Sequence, residues 1–179
     1  MNPLSYKEAF DPYHTIFRIF RLKFLLPAEK NLHLDHIRIL DFFLANPFRL
    51  KIMSFRAEHR AYRKIATKYF KLSPYSHLPN DFILFEYMRA SQVAAVSSLA
   101  KNEFLDQTKF IQDVVRFTNM EIPHNLLEQV KSSNQHEDDL CSVVSLLASE
   151  YNLLGPNGLK KRTGLLEHRN DFIQTNDYR

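Results

Sequence analysis

The sequence predicts a mainly α-helical protein with a small β-hairpin or three-stranded sheet, built as a winged-helix core with additional C-terminal helices. Three observations predict this class. Only three glycines occur in 179 residues, which argues against all-β folds and phosphate-binding loops because both need glycine in tight turns. Apolar residues recur at helical spacing along most of the chain. A long helical segment, residues 80–102, is followed directly by two strand-like segments, an order typical of a winged helix-turn-helix.

The first helix is predicted from residue 11 towards residue 26. Asp11 offers a side-chain acceptor at the cap, and Pro12 follows at a position where its missing N–H has no cost. Pro27 ends the helix because proline cannot continue the hydrogen-bond ladder. The polar side of this helix is expected to carry Arg18, Arg21 and Lys23.

A short strand and a second helix are predicted next. Leu32 and Leu34 alternate with polar residues, which favours a strand. Asp35 is expected to cap the helix that follows. The helix should end near Asn46, because the residue before Pro47 avoids the helical region of backbone space.

Residues 55–71 are predicted to form an amphipathic helix with one strongly basic face. On a helical wheel, the cationic side chains fall within an arc of about 140°; they are Arg56, Arg60, Arg63, Lys64, Lys68 and Lys71. Clustered Lys and Arg side chains neutralise phosphate efficiently, so this face is a candidate contact for DNA or for an acidic partner surface. The alternative is a solvated face on a surface helix.

The long helix at residues 80–102 is predicted to be the central buried helix, capped by Asn80 or Asp81. Its apolar stripe is expected to comprise Phe82, Phe85, Val93, Val96, Leu99 and Ala100. After it, residues 103–106 and 110–117 are rich in strand formers and predict the hairpin. The strand at residues 32–34 would then complete a three-stranded sheet.

Two domains are predicted, a winged-helix-like domain over residues 1–118 and a helical C-terminal extension over residues 119–179. The extension would pack on the first domain or on a partner. Within it, Gly155 and Gly158 lack the spacing of a phosphate-binding loop and predict a helix C-cap followed by a basic loop. The alternative is a basic knuckle that touches nucleic acid or an acidic partner through Lys160, Lys161 and Arg162.

No constellation of residues supports catalysis, so we expect a protein that is not an enzyme and holds no metal or cofactor. His33 and His36 lack a further ligand set and are expected to be solvated. Cys141 is expected to be a buried small residue. The net charge of +4 permits nucleic-acid contact without requiring it. Neither a signal peptide nor an apolar run of about 20 residues is present, so we expect a soluble cytoplasmic protein without membrane contact.

Two stretches of sequence carry a resemblance to a known family. The first contains HTIFRIFRL at residues 14–22, LDHIRILDFFL at 34–44 and PFRL at 47–50. The second contains YSHLP at 75–79, LFEYM at 84–88 and QVAAVSSLA at 92–100. Over residues 13–118 the chain resembles the middle component of bacterial three-component ABC-ATPase systems, a group that includes the accessory subunit of Lamassu-type antiphage and antiplasmid defence complexes.

This resemblance implies a non-catalytic winged-helix subunit that bridges an SMC/Rad50-like ABC ATPase and an effector nuclease. The subunit would help to sense DNA through the assembled complex and hold the effector in check until then. ATP chemistry would belong to the partner. The alternative is a stand-alone winged-helix DNA-binding regulator, although the helix before the wing offers only Arg89 and Lys101 for reading a groove.

Overall fold

Helices make up most of the structure, a computed structural model that describes residues 8–27, 30–70 and 79–166. The α-helices are α1 Pro12–Lys23, α2 Leu34–Ala45, α3 Arg63–Phe70, α4 Asp81–Lys101, α5 Gln107–Phe110, α6 His124–His136, α7 Asp138–Glu150 and α8 Leu159–Thr163. Two 3-10 helices lie at Pro47–Ile52 and Ala57–Tyr62, and two strands lie at β1 Leu32–His33 and β2 Val114–Val115. The predicted class, mainly helical with a small sheet, is confirmed at this level.

Helix ends follow the local signals closely. Asp11 caps α1, and its carboxylate accepts a hydrogen bond from the Tyr13 N–H at 2.8 Å. Asn80 caps α4, as predicted, through the Ile83 N–H at 2.9 Å. The cap of α2 was predicted wrongly: His33 precedes the helix, and its Nδ1 accepts from the backbone N–H of Asp35 at 3.1 Å.

The small sheet is antiparallel and pairs segments that lie far apart in sequence. Leu32 in β1 faces Val115 in β2. An isolated antiparallel bridge joins Leu105 to Phe117 and places a third segment beside the continuation of β2. The predicted strand over residues 110–117 is therefore wrong in its first part. Asp106 caps the short helix α5, which ends at Phe110. The chain therefore turns before the strand β2 begins at Val114.

The central helix α4 buries four of the six residues of the predicted stripe, Phe85, Val96, Leu99 and Ala100, and adds others to them. Its buried residues are Leu84, Phe85, Met88, Ser91, Gln92, Ala95, Val96, Leu99 and Ala100. Phe82 and Val93 were expected inside, yet each is 37% exposed. The buried face includes the polar Ser91 and Gln92 because both find hydrogen-bond partners within the fold. A hydrophobic stripe drawn from apolar residues alone misses such positions.

Two arginines of α1 are buried, although the sequence placed them on its polar side. Arg18 is 7% exposed and Arg21 is 6% exposed. Arg18 Nε donates to Asp41 Oδ1 in α2 at 2.6 Å. Arg21 pairs with Glu137 at 2.7 Å, just before α7. Each buried charge is therefore paired with a carboxylate from another part of the chain, which offsets the cost of its burial.

One cluster of buried apolar side chains contains residues from both sides of the predicted boundary at residue 118. The apolar face of α7 is fully buried: it comprises Leu140, Val143, Val144, Leu147 and Tyr151. The division into two domains remains a prediction. Within the described ranges, no helix combines the length and the apolar character needed to cross a bilayer.

Candidate nucleic-acid or partner interface

The predicted basic helix at residues 55–71 is not one continuous α-helix. Residues Ala57–Tyr62 form a 3-10 helix, α3 follows, and Arg56 precedes both in an extended conformation. A 3-10 helix turns by about 120° per residue rather than 100°. The single arc of cations drawn on the wheel therefore does not form. Lys71 lies outside the described residues.

The structure brings together the two groups of basic residues that sequence analysis singled out separately. The Ser54 N–H donates to the backbone oxygen of Arg162 at 2.9 Å. Arg162 Nη1 donates in return to the backbone oxygen of Ser54 at 2.5 Å. This reciprocal pair places α8, with Lys160 and Lys161, beside the start of the segment that carries Arg56 and Arg60.

Tyr151 packs between the segment that carries Arg56 and the helix α8, and the sequence analysis did not single it out as a site residue. Its ring is fully buried. The guanidinium carbon of Arg56 lies 4.6 Å from the ring centroid and that of Arg162 lies 5.6 Å away, both within the range of cation–π attraction. Its hydroxyl accepts from the Arg56 backbone N–H at 3.1 Å and lies 2.9 Å from His59 Nδ1. A tyrosine at the end of an apolar stripe signals such a polar anchor.

Arg56 and Arg162 are committed to holding the fold together. Arg56 Nη2 donates to the backbone oxygen of Glu150 at 2.6 Å, at the end of α7. Arg162 Nε and Nη2 donate to Asn157, at 2.8 Å to the backbone oxygen and 2.9 Å to Oδ1. These two cations therefore position the surrounding loops.

Two further predicted contacts also have partners within the chain. Lys68 Nζ lies 2.6 Å from Asp139 Oδ2 at the start of α7. Burial opposes the charge of Asp139, but hydrogen bonds from Lys68 and the Leu140 N–H hold the pKa of its carboxyl below the usual value. Arg63 Nη2 donates to the backbone oxygen of Met53 at 3.3 Å.

Three of the eight candidate contacts remain exposed and unengaged. Arg60, Lys64 and Lys161 are exposed, and they form no hydrogen bond or ion pair with any residue in the described part of the chain. Lys160 is half-buried and interacts within the fold. An exposed cation without an internal partner can meet phosphate or carboxylate groups at little cost in stability.

The glycines near this surface shape the backbone around α8. A Cβ at Gly158 would lie 2.4 Å from the backbone oxygen of Leu154, so only glycine fits there. Gly164 ends α8 in the left-handed conformation, at φ 66°. The predicted helix C-cap followed by a basic loop is corrected: Lys160, Lys161 and Arg162 lie on a helix of five residues, and α7 ends well before Gly155.

His36 and Cys141 are both buried. The prediction for Cys141 is confirmed, and burial raises the pKa of its thiol. The expectation of a solvated His36 is wrong, since its Nε2 lies 3.3 Å from the backbone oxygen of Leu147 inside the core. Among the described residues, no three His, Cys, Asp or Glu side chains are grouped so as to hold a metal ion.

Comparison with known families gives one match. The model of the family described as ABC-three component (ABC-3C) system Middle Component 5 matches residues 4–171. The match includes the C-terminal helices as well as residues 13–118, which carried the resemblance. No curated protein and no solved structure matches the chain.

Proposed function

The chain belongs to the ABC-three component middle component 5 family, and from this membership we propose that it is a non-catalytic accessory subunit of a bacterial antiphage or antiplasmid defence complex. A middle component of a three-component system works with partner subunits. In the proposal, one partner is an SMC/Rad50-like ABC ATPase and the other is an effector nuclease. The subunit bridges them, helps to sense DNA and controls activation of the effector.

The buried polar residues support a role without catalysis. Asp41 accepts from Arg18 and from Gln92, and His36 faces a backbone carbonyl. Each of these groups is satisfied by a neighbour that fixes the fold. A general acid or base needs instead a position from which it can reach a substrate atom.

The strand pairing supports the finer proposal of a winged-helix core. β1 pairs with β2, and Leu105 bridges Phe117 on the other side of that segment. The helix α4 directly precedes this arrangement. A winged helix has the same order of helix, strand, helices and terminal hairpin.

The exposed cations supply the surface that would meet DNA or an acidic subunit. Arg60, Lys64 and Lys161 lie on segments joined by the two hydrogen bonds between Ser54 and Arg162. A group of exposed cations on a surface fixed by Tyr151 suits contact with a phosphate backbone, which requires charge rather than base-specific geometry.

Co-expression with the neighbouring genes of the same operon tests the proposed assembly. We expect the chain to co-elute with a long coiled-coil ATPase and with an effector in affinity purification and size-exclusion chromatography. An interface of obligate character should survive moderate salt. Elution of the chain alone, with both partners expressed and folded, would refute the bridging role.

Charge reversal tests the DNA contact. The variant Arg60→Glu/Lys64→Glu/Lys161→Glu should weaken DNA association of the assembled complex by at least tenfold at 0.1 M salt, since about three phosphate contacts are lost. The matched variant is Arg89→Glu/Lys101→Glu on α4, which should have little effect. If the first variant leaves DNA binding unchanged while the complex stays intact, the surface is a solvated face without a role in DNA contact.

The second candidate function is a stand-alone winged-helix DNA-binding regulator, and the strand pairing favours it equally. The charge on α4 distinguishes the two. A groove-reading helix places several basic side chains on its outer face, whereas α4 carries Arg89 and Lys101 alone. Sequence-specific duplex binding by the isolated chain, abolished by the α4 variant, would favour the regulator.

A further inference from the structure

A second basic site has its own lining, distinct from the residues of the surface around Tyr151. A cleft of about 510 Å³ opens between the end of α1, the residues before β1 and the segment that follows β2. Its lining includes Lys23, Lys30 and Arg116, one cation from each of these three segments, together with Asp106 and Phe117. Three cations from three segments line this one concavity and make it positive.

The two lysines are held in place by backbone carbonyls. Lys23 Nζ donates to the backbone oxygen of Thr118 at 3.2 Å. Lys30 Nζ donates to the backbone oxygens of Ala148 at 2.7 Å and of Ser149 at 3.3 Å, at the end of α7. Carbonyl groups orient an ammonium group without cancelling its formal charge, and each ammonium has a further N–H to offer.

Asp106 is the one acid in the described lining, and its carboxylate both caps α5 and interacts with the charge of Arg116. Its Oδ1 accepts from the backbone N–H of Thr108 at 2.9 Å and from the Thr108 hydroxyl at 2.6 Å, which caps α5. These hydrogen bonds hold the pKa of Asp106 below its usual value, so the carboxylate remains charged. The described lining therefore carries three positive charges against one negative charge.

Phe117 gives the cleft an aromatic wall. Its half-buried ring packs against the core. Lys23 Nζ lies over the ring at 5.8 Å from the centroid, which leaves the part of the ring that lines the cleft beside a cation. An aromatic face beside cations matches a ligand that has a flat base next to phosphate groups, because stacking on an aromatic side chain stabilises any base.

We propose that this cleft binds a nucleoside phosphate, with its phosphate groups against Lys23, Lys30 and Arg116 and its base against Phe117. The volume lies within the range of small-ligand pockets, about 300 to 1,000 Å³. A duplex is too wide for such a cleft, so the nucleotide is either free or at the end of a nucleic-acid strand. This site goes beyond the proposed function, which places DNA contact at a different surface.

Calorimetric titration of the full chain tests the site with three probes: ATP, a 5′-phosphorylated single-stranded hexanucleotide, and inorganic pyrophosphate. We expect saturable binding of ATP or of the hexanucleotide, and the stronger of the two identifies the source of the nucleotide. Lys30→Gln and Lys23→Gln should each weaken binding about tenfold through loss of a charged hydrogen bond. The control Arg89→Gln makes the same charge change on the exposed face of α4.

Two further variants separate binding from folding. Lys23→Arg keeps the charge and should restore most of the affinity that Lys23→Gln loses, and thermal melting of every variant checks the fold. Phe117→Leu keeps an apolar side chain and should weaken ATP binding about tenfold without changing pyrophosphate binding. Absence of saturable binding to all three probes at millimolar concentration would overturn the proposal. Equal weakening of binding by Arg89→Gln and Lys30→Gln would overturn it too. The loss of affinity would then reflect the net charge of the protein and not a contact in the cleft.

Discussion

His36 shows how far a single residue can depart from what its type suggests. The side chain is 3% exposed, and its Nε2 faces the backbone oxygen of Leu147. Burial lowers the pKa of His36 to about 4, assisted by the charges of Lys30 and His33, and the hydrogen bond to Leu147 opposes this shift only in part. The ring is therefore neutral in the folded protein at pH 7.

The lowered pKa of His36 predicts a loss of stability in mild acid. Above pH 6.5 the ring is neutral in both the folded and the unfolded chain. Between pH 6.5 and pH 4 the unfolded chain binds a proton that the folded chain rejects, so the free energy of unfolding falls as the pH falls. The expected loss is roughly 3 kcal/mol, complete near pH 4. Urea unfolding at pH 7.5, 6, 5 and 4 measures it.

The control for this prediction is a second histidine. His36→Gln removes the titrating group and should flatten the stability profile between pH 6.5 and pH 4. His14→Gln replaces a histidine whose side chain is half exposed and should leave the slope unchanged. An equal slope in wild type and His36→Gln would show that other groups cause the acid sensitivity.

A buried polar network fixes how three helices meet. Arg18 of α1 donates to Asp41 of α2, and Gln92 of α4 donates to the same carboxylate at 2.8 Å. Arg38 Nε donates to Gln92 Oε1 at 3.1 Å, and its guanidinium carbon lies 4.3 Å from the Phe85 ring centroid. Each member is satisfied by another, so the helices have one favoured register.

Breaking this network should lower the free energy of unfolding. Asp41→Asn leaves the Arg18 guanidinium buried without its counter-charge and should reduce the free energy of unfolding by about 3–5 kcal/mol. The double variant Arg18→Met/Asp41→Leu removes both charges and should be more stable than Asp41→Asn. Chemical denaturation measures all three proteins.

A surface pair provides the matched control. Lys68 and Asp139 form an ion pair whose lysine side chain is 56% exposed. Lys68→Ala should therefore change stability by about 1 kcal/mol or less. A similar small effect of Asp41→Asn would mean that water or rearranged side chains compensate the lost charge.

At the scale of the whole molecule, the helices beyond residue 118 share a core with those before it. Leu147 and Tyr151 are fully buried among residues of the N-terminal part. Polar contacts cross the same boundary: Ser145 Oγ donates to the backbone oxygen of Leu25 at 2.9 Å, and Arg56 reaches Glu150. Each part covers apolar surface of the other.

This shared core predicts that residues 1–118 alone do not fold cooperatively. Removal of α6 and α7 exposes the apolar faces that they cover, at about 25 cal/mol for each Å² of apolar surface. Circular dichroism should show no sharp thermal transition for the fragment, and addition of a 119–179 fragment should restore one. A cooperative transition near that of the full chain would instead support two independent domains.

Part of the site and fold could be predicted because the responsible interactions are local. Asp11, Asn80 and Pro47 mark helix ends through caps and steric limits that act within about four residues. The basic residues could be found as candidates from composition. The arrangement of these basic residues in space could not be predicted. A helical wheel assumes one continuous helix, whereas the chain forms a 3-10 helix and then α3.

The helical class, the main helix ends and the family of the chain follow from its sequence alone. Which charges are buried and which remain exposed depends on tertiary contacts. Arg18 and Lys68 have the same charge, yet Arg18 has its carboxylate partner inside the core and Lys68 has its partner at the surface. The reason is physical: a charge can be buried only where a counter-charge meets it, and those counter-charges lie 23 and 71 residues away in sequence.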